Sequence, residues 1–179
     1  GLALYDTSGT GGQDPDLEYA DSGLALILQV NADPPPADDD AGGGTFRFDF
    51  VGGTVQDLLG FSLFDVEVGE TVTVVSDKGD IVEVEGTAAE ESGAAQTDDS
   101  TVTFDFTGGG SVSNATILSG IDITNAQGIA WFEIQADGVS TALDDVVVTP
   151  LPAAAWMMIS GLAAVGGVTY RRRQKAAAA

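Results

Sequence analysis

The stretch DPDLEYAD gathers Asp14, Asp16, Glu18 and Asp21 near the start of the chain, the first three spaced two apart. Carboxylate oxygens at that spacing in a loop suit Ca2+, which takes six to eight hard oxygen ligands at flexible geometry. The stretch is not an EF-hand loop, because it lacks the glycine and the distal glutamate at the required places. Asp14 and Asp16 also flank Pro15, a setting in which aspartates form turns without any metal. Absent residue types narrow the remaining chemistry. With no cysteine and no histidine, the chain has no disulfide, no thiolate metal site and no imidazole base. An enzyme would have to use carboxylates alone, as glycosidases do with an acid pair about 5–10 Å apart. Among 28 acids spacing singles out no such pair, so a non-catalytic protein is expected.

The acids set the electrostatics of the whole chain. Asp+Glu number 28 against 6 Lys+Arg, for a formal charge of −22. Four of the cations, Arg171, Arg172, Arg173 and Lys175, stand near the C-terminus, which leaves Arg47 and Lys78 for everything ahead of them. Such a body is a poor partner for nucleic acid, whose phosphates need cationic side chains. It is also repelled by anionic lipid headgroups. Its self-repulsion favours solubility.

The elements that must position these residues read as strands. Short apolar or alternating runs, punctuated by Gly, Asp, Asn and Ser, predict strands over 2–5, 24–31, 45–50, 59–66, 71–76, 81–86, 100–106, 115–123, 129–136 and 143–148. In TFRFDF the residues Phe46, Phe48 and Phe50 share one face, with Arg47 and Asp49 on the other. TVTFDF repeats the pattern with Val102, Phe104 and Phe106 against Thr103 and Asp105. DIVEVEG sets Ile81 apart and then alternates Val82 and Val84 with Glu83 and Glu85. One wet and one buried face is the antiparallel pattern. Val, Thr, Ile and Phe fill the runs, and these residues favour strands. The expected fold is all-β, an antiparallel two-sheet sandwich of jelly-roll-like form, with an immunoglobulin-like sandwich as the alternative.

Two connectors stand out. NADPPPADDDAGGG (31–44) is stiff and charged, then flexible, and its prolines exclude a central strand. TAAEESGAAQTDDS (87–100) is the other long loop. Asn114-Ala115-Thr116 matches a glycosylation acceptor. In IAWFEIQ alternation buries one of Trp131 and Phe132. Core duty is expected of Trp131, ahead of stacking on a sugar.

The C-terminus is of another kind. Residues 151–170 carry no charge, and a helix of that length spans roughly 30 Å, the thickness of a bilayer's hydrocarbon core. Pro150 and Pro152 suit its entrance, and Trp156 and Tyr170 fall near its two ends as interfacial aromatics do. Arg171, Arg172, Arg173 and Lys175 then keep the C-terminus cytoplasmic and place the acidic domain outside. A transmembrane helix is therefore expected after the β domain. The expected organisation is a β domain over 1–148, a C-terminal signal over 149–175 and an alanine tail over 176–179. Export requires a leader peptide, expected to precede Gly1 or to have been removed.

PLPAAAW…GLAAVGG…RRRQK resembles the C-terminal sorting signals of the PEP-CTERM class, in the variant written VPLPA; Thr149 stands where that variant has Val. The resemblance covers about 27 of the 179 residues. It implies a Gram-negative bacterium, an inner-membrane stage and a membrane-embedded exosortase that recognises Pro150, Leu151, Pro152 and Ala153 and cleaves nearby. Transfer to the cell surface or an exopolysaccharide matrix would follow. An uncleaved tail anchor is the alternative. YDTSGTGGQDPDLE and GVSTALDDVVV look like the ends of small exported β domains of that class. By likeness to jelly-roll carbohydrate-binding modules, a structural calcium would tie the start of the domain to its last strand, through Asp14, Asp16 and Asp144 or Asp145. Neighbouring strand residues point to opposite faces, so Asp144 and Asp145 can both serve only across a bulge. The functional expectation is a structural or adhesive surface domain. Its alternatives are a calcium-stabilised carbohydrate-binding module and a carboxylate-only hydrolase.

Overall fold

The computed structural model describes residues 2–6, 24–28, 42–89, 100–137 and 141–149. These residues form eleven strands: β1 Leu2–Asp6, β2 Leu24–Leu28, β3 Gly43–Asp49, β4 Leu58–Phe64, β5 Thr71–Ser76, β6 Gly79–Gly86, β7 Val102–Asp105, β8 Ser111–Ser113, β9 Ala115–Ile117, β10 Trp131–Asp137 and β11 Ala142–Val148. Two antiparallel sheets result. One is six-stranded in the order β1-β2-β11-β4-β7-β8, the other five-stranded in the order β3-β10-β5-β6-β9. The predicted all-β, two-sheet architecture is thus the observed one. Among the described residues no helix is long and apolar enough to cross a membrane, and the apolar run 151–170 lies outside them.

Alternation decides which face is buried. Phe46, Phe132, Ile134, Val72, Val74, Val82 and Val84 of the five-stranded sheet join Phe61, Leu63, Val102, Phe104 and Leu143 of the six-stranded sheet in one apolar cluster. Each sheet contributes a stacked aromatic pair. Phe48 lies on Phe132 with ring centroids 4.8 Å apart, and Phe61 lies on Phe104 at 4.4 Å. The separation of Ile81 from the alternation has a physical basis. Val74 pairs with Val82 and Val75 with Asp80, so Ile81 is the extra residue of a β-bulge. The bulge turns Ile81 inward beside Val82, and both are buried.

Trp131 departs from expectation. Phe132 is the fully buried member of the pair, whereas Trp131 is half-buried on the outer face. The register explains it: Phe132 lies opposite Phe48, in line with Ile134 opposite Phe46, so the inner face was already fixed by the phenylalanines of β3.

The run expected over 115–123 also differs. Ser111–Ser113 belongs to the six-stranded sheet and Ala115–Ile117 to the five-stranded one, so the chain changes sheets at Asn114. Asn114 takes φ 57° there, a left-handed conformation that asparagine tolerates better than most residues. Its Nδ2 donates to the carbonyl of Thr101 at 2.9 Å, and its own carbonyl accepts from Thr87 Oγ1 at 2.8 Å. The amide that a glycosylation enzyme would modify is thus part of the corner.

Candidate functional site

Of the residues singled out for metal binding, Asp14 and Asp16 lie outside the described residues, as do Glu18 and Asp21. The sorting residues Pro150, Leu151, Pro152 and Ala153 and the cations Arg171, Arg172, Arg173 and Lys175 lie outside them too. Asp144 and Asp145 fall in β11, at a bulge. Asp144 pairs with Ser62 but Val147 pairs with Gly60, which leaves one extra residue on β11. Asp145 takes φ 54°, and its N–H donates to Asp144 Oδ1 at 2.7 Å. The strict alternation that would have separated the two carboxylates is therefore broken where they stand. Among the described residues no group of three or more acids gathers closely enough to hold a metal ion.

The bulge borders a groove. Val147 pairs with Gly60 and Val148 with Leu58, so Leu59 is in turn an extra residue on β4 and the two irregularities cancel. Opposed bulges side by side leave a depression in the outer face of the six-stranded sheet, of about 420 Å³. Its polar lining comes from Ser62 of β4, Thr103 and Asp105 of β7, Thr107 and Asp145, with Leu59 and Val147 as aliphatic contributors. Ser62 and Thr103 are cross-strand partners, their hydroxyls 3.4 Å apart. Gly60 lies opposite Asp105, and a Cβ at Gly60 would stand 2.3 Å from the Phe104 carbonyl. Only glycine lets the two backbones approach this closely.

Asp105 is held in place. Its Oδ1 accepts from Thr107 N at 2.8 Å and from Thr107 Oγ1 at 2.6 Å. These bonds favour the carboxylate and hold its pKa below the usual aspartate range. Asp122 is treated alike by Thr124 at a second turn. Both are ionised at neutral pH and act as acceptors, the opposite of a raised general acid. No family model, curated protein or solved structure matches the chain.

The outer face of the five-stranded sheet offers a second set of groups. Arg47 of the edge strand β3 lies opposite Glu133, and Asp49 opposite Trp131. Arg47 donates from Nε and Nη2 to the two oxygens of Asp49, each at 3.0 Å, and from Nη1 to Glu133 Oε1. Its guanidinium carbon stands 4.3 Å from the Trp131 ring centroid. The hydrogen bonds that Arg47 donates to Asp49 and Glu133 raise its pKa, and Arg47 in return lowers that of Asp49. This is a staple across an edge strand: planar cation, forked carboxylate and aromatic face, each suited to the others. A sugar stacking on that face of Trp131 would have to displace Arg47.

Sequence reasoning placed Asp145 and the strands that flank the groove, but not the groove itself. Nothing in the spacing of residues 59–62, 103–107 and 145–147 shows that they converge. The one local signal was Gly60 inside an otherwise apolar strand, a mark of close backbone approach.

Proposed function

We propose that this chain is an exported, non-catalytic domain of the cell surface or extracellular matrix of a Gram-negative bacterium, structural or adhesive in role. In this reading residues 151–170 form a transmembrane helix that holds the chain in the inner membrane, C-terminus in the cytoplasm. An exosortase-type enzyme then acts at Pro150, Leu151, Pro152 and Ala153, and the freed body, jelly-roll-like in the arrangement of its sheets, joins the surface or its exopolysaccharide. The observation that carries the reading is the order of the C-terminal parts: Pro-Leu-Pro, an uncharged run of bilayer length, then Arg171, Arg172, Arg173 and Lys175.

Two features of the fold support it. The last strand ends at Val148, where the compact unit Gly1–Val148 also ends. Cleavage just beyond would leave every described strand whole. The lowered carboxylates Asp49, Asp105 and Asp122 suit accepting hydrogen bonds and not donating a proton to a leaving group. The intact mass of the protein recovered from its host's surface is expected to end near residues 150–155. A full-length mass confined to membranes would refute processing and leave a tail-anchored domain.

A second reading, a calcium-stabilised carbohydrate-binding module, is favoured by the bulge that breaks the alternation at Asp144 and Asp145. Calcium at a hundredfold excess over its Kd would add about 2.7 kcal/mol of stability, read as a rise of several degrees in Tm. Magnesium at the same concentration screens charge equally but demands a tighter octahedron, and is expected to give a smaller rise. Equal rises for the two ions, or a calcium rise unchanged in an Asp144→Asn, Asp145→Asn double variant, would dismiss the site.

A further inference from the structure

The geometry points to the groove between β11, β4 and β7 as a binding site for a neutral glycan chain. The inference rests on the matrix-domain reading and names the partner class that such a domain would hold. Three observations carry it.

The first is the shape. About 420 Å³ lies within the range of small-ligand sites, and the depression is open to solvent on the face of the sheet. It is built by two opposed bulges and one close-approach glycine, devices that re-aim side chains and recur beside binding sites. The second is the chemistry of the lining. Ser62 and Thr103 supply hydroxyls that donate or accept, while Thr107, whose hydroxyl proton goes to Asp105, supplies an acceptor alongside Asp105 and Asp145. Asp105 is pre-positioned by its two bonds from Thr107, so a ligand hydroxyl meets a fixed oxygen at little ordering cost. Leu59 and Val147 offer short aliphatic surface to the C–H faces of a sugar ring. The third is charge. Among the described residues the lining holds two carboxylates and no cation, in a chain of net charge −22. An anionic polysaccharide is repelled from it, and a ligand rich in hydroxyls and free of charge is not.

Native gels cast with dextran, xylan or galactomannan, and with alginate as the anionic comparison, test the assignment on the full chain in mild detergent. At least one neutral glycan is expected to retard the wild type, and alginate is not. Ser62→Tyr fills the groove from a strand position where tyrosine is well tolerated, and is expected to weaken retardation by about tenfold or more while Tm shows the fold intact. Trp131→Ala, on the opposite sheet, is expected to leave retardation unchanged. Retardation by none of the neutral glycans overturns the inference, as does retardation by alginate alone. Loss in Trp131→Ala with none in Ser62→Tyr moves sugar binding to the other sheet and overturns the groove. Should Ser62→Tyr unfold, Thr103→Phe fills the same space from β7. None of these outcomes alters the mass of the processed protein, so the two readings fail separately.

Discussion

Phe132→Ala is expected to destabilise the domain by about 3–5 kcal/mol, the range for deleting a fully buried phenylalanine ring. Its neighbour Trp131→Ala is expected to cost only about 1 kcal/mol. The contrast comes from position and not from size. Phe132 has no exposed surface. It stacks on Phe48 at 4.8 Å, and Phe50 tilts against it at 6.2 Å. Its removal leaves a hole in the cluster shared by both sheets, near the start of a strand paired on each side, where neighbours cannot collapse inward without breaking ladder bonds. Trp131 is half-buried at the start of β10, covered by a guanidinium that can rehydrate when the ring goes. Arg47 would keep its bonds to Asp49 and Glu133, and exposed ion pairs contribute little in any case. Urea titrations of the two variants at neutral pH measure both costs. A Trp131→Ala cost equal to that of Phe132→Ala would mean that the rings have exchanged faces, and with them the register of β3 on β10.

That exchange is also the clearest measure of how far the sequence could be read. Alternation found the elements well where one face is buried and one wet: the strand predicted over 71–76 is β5 Thr71–Ser76. It placed the inward phenylalanines of β3 and β7 correctly. It failed at Trp131 because two adjacent aromatics satisfy the alternation in either phase. The phase is set by β3, which is far away in sequence. The break at Asn114 was hidden for a related reason. Ser111–Ser113 is a three-residue strand in which two exposed serines flank a single partly buried Val112, and it holds its place by pairing with β7. A local pattern cannot show this. Assignment of strands to sheets was not legible either, since β8 and β9 are separated by one residue and belong to different sheets. The groove stands at the end of that series. It depends on an extra residue in β11 and another in β4, each defined only by the partner strand. The bulge needed to bring Asp144 and Asp145 into play could be named from sequence as a condition, but its presence is a property of the pairing.

Gly86→Ala is expected to cost about 3 kcal/mol or more, the upper end of what added volume does in a packed site. Gly86 closes β6, and its N–H donates to the carbonyl of Glu70 at 3.2 Å while Val68 bridges to it in parallel. The segment just after β4 is thus strapped against the end of β6, linking the six-stranded sheet to the five-stranded one. A Cβ at Gly86 would stand 2.3 Å from the Glu67 carbonyl oxygen and 2.6 Å from that of Val66. Both obstacles are backbone, so no rotamer change relieves the contact. The strap must shift, and Val66, fully buried beside it, must leave its place in the core or pull the end of β4 along. Gly109 provides the comparison, because a Cβ there meets none of the described residues within 4 Å; Gly109→Ala is expected within about 0.5 kcal/mol of wild type. Chemical denaturation of the two variants separates a steric cost from any general effect of glycine replacement on the unfolded chain, which both share. A Gly86→Ala variant as stable as Gly109→Ala would show that the strap between β4 and β6 yields freely. The strap would then contribute little to holding the two sheets together.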